Sequence, residues 1–326
     1  MAALLDISSA FVPASAVNCP NRMSYKTEMT LQESTVESDA SSTEAASVEK
    51  TTVSVPLTWD QMIRQVATAM KDASAQGTTR QIVRILLPRD SSYDNFGTQL
   101  ESNTEDSMSV SLVPLDESWQ GGIMQLYYAA APTTEKIMQQ FTADTAGGVP
   151  PRIVEDRSVD ESGVDGVSLF KADDNQIACW LQPMQENIDE IEKMTANTAD
   201  DDIVALINPQ WRLVDDALDT ASQNDGFWGG VANFLGGKGG ALKRLKAAGF
   251  TPVYTFEGYV CRGANVRMLQ VLDSDWSVFC ERDDGQSFIP VGTMKDRPTY
   301  QDVEKMLNDN DIGYKYARDI GMAPKL

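Results

Sequence analysis

The residues best suited to chemistry lie in one glycine-rich stretch, positions 226–250, with the sequence GFWGGVANFLGGKGGALKRLKAAGF. Glycine amides beside a lysine, followed by a run that favours helix, are the parts from which proteins build phosphate-binding loops. A Walker A loop has the pattern G-x-x-x-x-G-K-[ST], but alignment on Lys238 places Ala232 and Gly239 where glycine and a hydroxyl residue are needed. A dinucleotide-binding loop must follow a strand directly, whereas here a long polar segment precedes the glycines. The stretch therefore fails both tests for a phosphate loop.

Three interpretations of this stretch remain. It is a plain connecting loop, a loop that contacts a partner or a membrane surface, or an anion site formed by helix-start amides and nearby cations. Aromatic side chains beside glycines favour contact with a partner, because aromatic residues supply much of the binding energy at interfaces. The residues that we predict to contact a ligand or partner here are Phe227, Trp228, Lys238, Lys243 and Arg244.

A second candidate site is the sequence INPQW at 207–211. It ends a continuous apolar run, and α/β proteins bind ligands at the carboxyl ends of their strands. Asn208 and Gln210 are therefore candidates for ligand contact. The alternative interpretation is structural: Pro209 ends the strand, Trp211 packs, and the polar residues serve only the turn.

The remaining composition excludes much of enzyme chemistry. The 326 residues include no histidine, which removes Ser-His-Asp and Cys-His mechanisms and histidine-ligated metal sites. The four cysteines show no metal or redox spacing, and adjacent aspartates such as Asp215 and Asp216 face opposite sides of an extended strand. We expect buried free thiols, with a disulfide between Cys261 and Cys280 on neighbouring strands as the alternative. The sequence thus predicts no catalytic residue, no metal, no cofactor and a non-enzymatic role.

The charge balance restricts the partners. Lysine and arginine total 27 while aspartate and glutamate total 48, so the net charge is −21. Such a surface repels nucleic-acid phosphates and anionic lipid. No apolar run approaches the roughly 20 residues of a membrane-spanning helix. We expect a soluble protein with protein partners, without nucleic acid and without a transmembrane segment, while peripheral contact with a membrane stays open.

The first 50 residues differ from the rest of the chain. They are rich in serine, threonine, glutamate and alanine, a composition that buries too little surface to offset chain entropy. Within them, SSAFVPASA at 8–16 resembles the cleavage motif in the bipartite plastid presequences of algae with secondary red plastids. Only MAALLDI precedes it, which is too short for a signal peptide, so a translation start further upstream, a simple transit peptide and a disordered tail are the alternatives. We expect a targeting or disordered segment at 1–50 and one α/β domain at 51–326.

Hydrophobic periodicity predicts the elements that would position these residues. A helix is expected over Val55–Gly77, with Thr58 as its cap and Gln61 completing a capping box. Further expected elements are a strand over Arg80–Asp90, a helix over Thr133–Thr145, strands over Asn175–Pro183 and Asp201–Trp211 with a helix between them, and a helix over Arg297–Asp309. Between Pro252 and Gly292, four segments alternate with period two. The sequence predicts an α/β fold, a sheet with helices packed on it, plus a C-terminal antiparallel meander and a closing helix.

The order of these motifs resembles a domain-of-unknown-function family found in cyanobacteria, algae and plant plastids. The resemblance rests on PLTWDQMIRQVATAMKDASAQG followed by RQIVRILLP, then on DDIVALINPQW, DSDWSVFCE and RPTYQDVEKML, and it covers about 55–310. That family includes the low-photosystem-II-accumulation type of assembly factor and a module appended to a plastid adenylate kinase.

This resemblance implies a compartment and a process more than a mechanism. It implies a chloroplast protein, in the stroma or peripheral to the thylakoid, that assists photosystem II-like assembly or accumulation. Its implied partners are photosystem subunits or assembly factors. The alternative, from a different class, is a regulatory module of the plastid stroma that binds a nucleotide or a phosphorylated metabolite.

Overall fold

Helix α1 (Trp59–Ala75) begins and ends where the sequence requires. Thr58 accepts a hydrogen bond from the Gln61 amide, and Gln61 Oε1 accepts one from the Thr58 amide, which completes the predicted capping box. The helix stops before Gly77, whose φ of +85° suits the left-handed turn that ends many helices. Its apolar face is buried, as the periodicity predicts: Met62, Ile63, Val66 and Met70.

The computed structural model describes residues 53–90, 110–115, 122–143, 151–210 and 239–326, which all belong to one unit of the chain, Glu49–Leu326. The other helices described are α2 (Gly122–Thr142), α3 (Ile188–Ala196), α4 (Gly239–Ala247), α5 (Tyr300–Asp309) and α6 (Lys315–Asp319). The strands described are β1 (Arg80–Arg84), β2 (Leu87–Asp90), β3 (Val110–Val113), β4 (Ile153–Asp156), β5 (Ser168–Ala172), β6 (Ile177–Leu181), β7 (Ile203–Ile207), β8 (Thr251–Cys261), β9 (Ala264–Val271), β10 (Trp276–Glu281) and β11 (Phe288–Met294). The segment predicted at 1–50 lies outside the described residues.

In the described part of the chain, nine strands form one mixed sheet in the order β11-β10-β9-β8-β1-β7-β6-β5-β4. The central strands β8, β1, β7 and β6 are parallel, and the strands on either side of them are antiparallel. Strands β2 and β3 pair with each other in a separate sheet. The predicted fold class is confirmed: a large central sheet carries packed helices and a C-terminal antiparallel meander that ends in a helix.

Helices cover both faces of the parallel strands. Helices α1 and α2 pack on one face, whereas α3 and α4 pack on the other. Successive residues of a strand point to opposite faces, so β7 contributes Ala205 to the first layer and Val204 and Leu206 to the second. Strand β7 is buried throughout, which is typical of a parallel strand covered on both sides. Within the described ranges, no helix is long and apolar enough to cross a bilayer.

Two expected elements differ in extent. The segment Arg80–Asp90 divides into β1 and β2, because β2 leaves the main sheet and pairs with β3. Helix α2 begins at Gly122 rather than Thr133 and continues through Pro132. Proline removes a helical hydrogen bond and was expected to precede the helix, but a continuous buried face holds the two halves together. That face includes Tyr127, Ala130, Ile137, Met138 and Phe141.

The described cysteines, Cys179, Cys261 and Cys280, are free and buried, as the sequence predicts. The alternative of a disulfide on neighbouring strands is wrong, because Cys261 lies on β8 and Cys280 on β10, with β9 between them. Two strand spacings span roughly 9–10 Å, beyond the Cα separation of about 4.4–6.8 Å that a disulfide needs. Burial raises the pKa of Cys280 to about 11, so this thiol stays protonated at neutral pH.

Candidate functional site

The candidate site lies where the chain leaves the centre of the sheet. Strands β1 and β7 are parallel neighbours. Of the described helices that pack on the sheet, the next one after β1 in the chain is α2, on one face, and the next one after β7 is α4, on the opposite face. Strand ends at the carboxyl side of a parallel sheet are the usual place of ligand sites in α/β proteins. We name this place the β1/β7 strand ends and define it by Arg84, Asn208, Pro209 and Gln210.

Asn208 joins the carboxyl ends of β7 and β1. It is fully buried and takes the left-handed backbone conformation, with a φ of +47°. Asn208 Oδ1 accepts a hydrogen bond from the Ile85 amide at 2.8 Å, and Nδ2 donates to the Ile85 carbonyl at 3.2 Å. The Asn208 amide donates to the Val83 carbonyl at 2.9 Å. The side chain thus extends the ladder between the two strands, and asparagine suits the position because it tolerates left-handed backbone.

Gln210 lies beside Asn208, so the structure brings these two predicted residues together. The Gln210 amide donates to the Pro183 carbonyl at 2.9 Å, and Nε2 donates to the Asn208 carbonyl at 3.0 Å. These bonds tie the segment after β7 to the segment after β6. Both residues therefore have a structural role, and ligand contact by either of them stays a prediction.

A second left-handed residue, Gln182, follows β6 with a φ of +49°. It is fully buried, its amide donates to the Ile207 carbonyl at 2.8 Å, and its Nε2 donates to the Gly166 carbonyl at 3.0 Å. In the part of the chain that the structure describes, Gln182 Oε1 has no hydrogen-bond partner. Gly166 has a φ of +67°, and a Cβ there would lie 3.1 Å from Gln182 Nε2, so both the backbone conformation and the tight space favour glycine. The adjacent strands β6 and β7 are thus each followed by a residue with left-handed backbone, Gln182 and Asn208. Sequence patterns did not indicate this feature.

Arg84 brings a positive charge to the β1/β7 strand ends. It is the last residue of β1 and lies on the same face as Ile82, which packs in the layer of α3 and α4. Arg84 is 9% exposed, and Nη1 donates to the Pro209 carbonyl at 3.1 Å. Sequence reasoning missed this residue, because it stands inside an apolar strand. Only the pairing of β1 with β7 places its guanidinium at the site.

The two ends of the parallel strands differ in electrostatic character. Helices α3 and α4 begin at the carboxyl end of these strands and finish at the amino end, where α1 also finishes. A helix carries partial positive charge at its N-terminus and partial negative charge at its C-terminus, so the carboxyl end favours anions. The amino end holds an open cavity of about 530 Å³, lined by Thr78, Thr79, Arg80, Thr195, Asp200 and Thr251.

The predicted basic residues Lys243 and Arg244 lie on α4, and both are exposed. Arg244 Nε donates to Glu192 Oε1 at 2.9 Å, and the guanidinium also forms an ion pair with Asp189. The hydrogen bond from Arg244 lowers the pKa of Glu192 below its ordinary value. Arg244 therefore links α4 to α3, and ligand contact by Lys243 or Arg244 stays a prediction. The other predicted contacts, Phe227, Trp228 and Lys238, lie outside the described residues.

Asp160 organises the loop that leads to Gly166, beside Gln182. Its buried carboxylate accepts hydrogen bonds from the Gly163 amide at 2.8 Å, the Gly166 amide at 3.0 Å and the Ser162 hydroxyl at 2.7 Å. Burial alone would raise the pKa of Asp160, but hydrogen bonds to the ionised form outweigh burial and hold the pKa below its ordinary value. The ionised carboxylate therefore stabilises the loop.

Asp160→Asn is expected to lower the free energy of unfolding by about 2 kcal/mol at neutral pH, because an amide nitrogen would face backbone N–H groups that need an acceptor. Since the folded pKa of Asp160 is depressed, its contribution is present above the unfolded value of about 3.9 and is lost as the pH falls through the folded pKa. Denaturant unfolding should show the difference between wild type and variant shrinking below about pH 4. A difference that is independent of pH would contradict this assignment.

Exposed apolar side chains gather near the C-terminal end of the described chain. The C-terminal aromatic surface consists of Tyr300, Tyr314, Tyr316, Ile320 and Met322, and Tyr316 and Met322 are 73% and 79% exposed. The Ile320 amide donates to the Tyr316 carbonyl, which places these two side chains one helical turn apart. The Arg262 guanidinium lies 5.0 Å from the centre of the Tyr314 ring. Clustered exposed apolar residues mark interaction sites.

Sequence periodicity did not reveal this surface. It groups Tyr300 with Val303 and Leu307 on one face of α5, but Val303 and Leu307 are buried whereas Tyr300 is exposed. Tyr300 is the first residue of the helix, and the centre of its ring lies 6.3 Å from that of Tyr259. The sequence does contain a signal for this surface: Tyr314 and Tyr316 flank Lys315, after the apolar pattern of the closing helix has ended.

These elements define an α/β protein whose parallel centre is flanked by antiparallel strands. Residues 56–305 match the family model described as a domain of unknown function, DUF1995, and the chain belongs to this family. Searches of the curated proteins and of the solved structures gave no significant match. The family match ends within α5, so Tyr300 lies inside it and the other residues of the C-terminal aromatic surface lie beyond it.

Proposed function

We propose that the chain is a non-catalytic plastid protein that assists the assembly or accumulation of a photosystem through protein contacts made by its C-terminal aromatic surface. The observation that carries the proposal is the exposure of this surface on a segment that is fixed to the fold. Tyrosine supplies a large amphipathic contact area at low entropic cost, which is why it is enriched where binding energy is concentrated.

The backbone beneath the surface is well fixed. The Lys315 amide donates to the Arg262 carbonyl at 3.0 Å, and the Arg262 side chain forms an ion pair with Glu304 of α5. Arg262 therefore connects the turn between β8 and β9 with both C-terminal helices. A surface held in this way loses little conformational entropy on association. The partner that fits it presents apolar side chains together with acceptors for the tyrosine hydroxyls.

The compartment and the process are supported by the sequence. The motif at 8–16 supports a plastid destination, and the order of motifs over about 55–310 resembles the family that includes a photosystem assembly factor. A net charge of −21 favours a protein partner over direct adhesion to anionic lipid. The proposed partners are photosystem subunits or other assembly factors on the stromal side of the thylakoid.

Affinity capture from plastid extract, with the full chain as bait and an amine-reactive crosslinker, tests this proposal. Lys315 lies between Tyr314 and Tyr316, so a partner on the C-terminal aromatic surface comes within reach of its amine. We expect photosystem subunits or assembly factors to be recovered with crosslinks to Lys315. Recovery of no photosystem protein despite crosslinking, or crosslinks that avoid Lys315, would contradict the proposal.

A further inference from the structure

We propose that the edge strand β4 is an interface between two copies of this chain, which pair antiparallel about a two-fold axis at Val154. Strand β4 ends the nine-stranded sheet on one side, whereas β11 ends it on the other side, where α5 packs. The interface is therefore separate from the C-terminal aromatic surface, and it goes beyond the proposed contacts with other proteins. Pairing of this kind joins the sheets of the two copies into one.

The backbone of β4 directs hydrogen-bonding groups away from the sheet. The Asp173 amide donates to the Arg152 carbonyl at 3.0 Å, so Arg152 directs its backbone groups toward β5. These directions alternate along an antiparallel strand, so Ile153 and Glu155 direct their N–H and C=O groups away from β5. No described strand lies on that side of β4. An added antiparallel strand can therefore bond to Ile153 and Glu155.

One face of β4 is fixed to the core and the other face is open. Ile153 packs against the core layer that contains α2, and the Tyr127 hydroxyl donates to Glu155 Oε1. Val154 points to the opposite face and is 45% exposed. Its neighbour on β5, Lys171, is exposed as well. The strand thus offers an aliphatic side chain to a partner from a fixed position, which lowers the entropic cost of association.

The backbone and the sequence restrict the position of the two-fold axis. The axis must pass through a residue, because an axis between two residues would place outward-directed groups opposite inward-directed ones. An axis at Val154 pairs Ile153 of each copy with Glu155 of the other. An axis at Glu155 would place two carboxylates opposite each other, which is destabilising. An axis at Ile153 would place Pro151, which has no N–H, opposite Glu155.

The charges on β4 favour the axis at Val154. This axis places Arg152 of each copy opposite Asp156 of the other, so that two pairs of opposite charge flank a contact between the two Val154 side chains. These are non-hydrogen-bonded positions, where facing side chains come closest. Within the described ranges, the Arg152 side chain has no hydrogen-bond or ion-pair partner. Hydrogen bonds from the Ser158 hydroxyl and amide hold the pKa of Asp156 below its ordinary value, so Asp156 is ionised at neutral pH.

Sedimentation velocity of the full chain tests the proposal, at about 0.15 M salt to screen the repulsion between two acidic copies. Because the interface is small, we expect wild type to form a weak dimer as its concentration rises to about 100 µM. Arg152→Asp places like charges opposite each other at both pairs, so the dissociation constant should rise at least about tenfold. Arg157→Asp is the matched control, because it changes the net charge equally but Arg157 lies over the Tyr127 ring, on the other face. This control should keep the dimer.

A charge exchange makes the test independent of effects on folding. Asp156→Arg alone should also weaken the dimer, because two arginines then face each other at both pairs. An equal mixture of Arg152→Asp and Asp156→Arg should form a heterodimer, since an aspartate then faces an arginine at both pairs. A variant that has merely lost its fold cannot give this rescue.

A cysteine at the axis measures the register. The two Val154 positions form a non-hydrogen-bonded pair with Cα atoms about 4.5 Å apart, within the range that a disulfide spans. In a Cys19→Ser background the other thiols, Cys179, Cys261 and Cys280, are buried. Val154→Cys should therefore form a disulfide-linked dimer under mild oxidation. Lys171→Cys, one strand further from the axis, should not.

Several results would overturn the proposal. A wild type that stays monomeric at about 100 µM would leave the edge to a strand of another protein. A dimer that survives Arg152→Asp unchanged would place the interface elsewhere, and loss of that dimer in Tyr316→Ser/Ile320→Ser would place it on the C-terminal aromatic surface. Where Asp156→Arg does not fold, failure of Val154→Cys to form the disulfide-linked dimer would exclude an axis at Val154.

Discussion

Asp283→Ala is expected to lower the free energy of unfolding by about 3–5 kcal/mol, because it leaves a buried guanidinium without a counter-charge. Arg318 Nη1 lies 2.7 Å from Asp283 Oδ1, and their side chains are 1% and 14% exposed. Neither of these two atoms has a hydrogen-bond partner among the described residues, so charge attraction dominates their contact. Asp283 also accepts a hydrogen bond from the Leu326 amide at 2.8 Å. The pair thus holds α6 and the chain end against the hairpin of β10 and β11.

Asp319→Ala is the matched control for Asp283→Ala. Asp319 lies on the same helix as Arg318 and pairs with Lys315 at 3.4 Å, but it is half exposed. Exposed pairs of this kind contribute between about 0 and 1 kcal/mol, so its loss should change stability little. Denaturant unfolding measures both variants, and the double variant Asp283→Leu/Arg318→Met should recover most of the lost stability. Equal effects of Asp283→Ala and Asp319→Ala would contradict the assignment of a buried ion pair.

Asn208→Ala is expected to lower the free energy of unfolding by about 3 kcal/mol. It removes both side-chain hydrogen bonds to Ile85 and leaves a buried N–H and a buried carbonyl unsatisfied, at about 1–3 kcal/mol for each group. It also forces alanine into left-handed backbone, which asparagine tolerates better.

Asn208→Gly separates the two contributions to this loss. Glycine removes the same hydrogen bonds but adopts a φ of +47° without strain, so it should be more stable than alanine by about 1 kcal/mol. Urea unfolding of the three proteins gives both differences. A loss below about 1 kcal/mol for Asn208→Ala would mean that water replaces the side chain, and equal stability of the alanine and glycine variants would show that the backbone is not strained.

The sequence predicts those features that depend on nearby residues. The capping box of Thr58 and Gln61 is local, and so is the alternation that predicts the C-terminal meander. The continuous apolar run likewise located Asn208 at the carboxyl end of β7, and its contact with a ligand stays a prediction. The sequence could not identify the hydrogen-bond partner of Asn208. That partner, Ile85, lies far away in sequence and meets Asn208 only when β1 pairs with β7.

The features that could not be predicted depend on long-range packing. Arg84 resembles any charged residue inside an apolar strand until its neighbour strand is known. Pro132 suggests a helix start, but burial of the whole length of α2 overrides that local preference. The exposure of Tyr314 and Tyr316 depends on how Arg318 anchors α6, a contact between residues that no local pattern connects.

The central claim is that the C-terminal aromatic surface binds a photosystem protein, and a paired surface variant tests it most directly. Tyr316→Ser/Ile320→Ser removes two exposed side chains from this surface. Tyr128→Ser/Val164→Ser removes a matched tyrosine and a matched aliphatic residue, also exposed, from elsewhere on the chain.

The measurement is the amount of photosystem protein that each variant captures from plastid extract by crosslinking, relative to wild type. We expect at least about a tenfold loss for Tyr316→Ser/Ile320→Ser, because such residues carry binding energy. We expect wild-type capture by Tyr128→Ser/Val164→Ser and similar unfolding free energies for all three proteins. Equal capture by wild type and Tyr316→Ser/Ile320→Ser would contradict the claim.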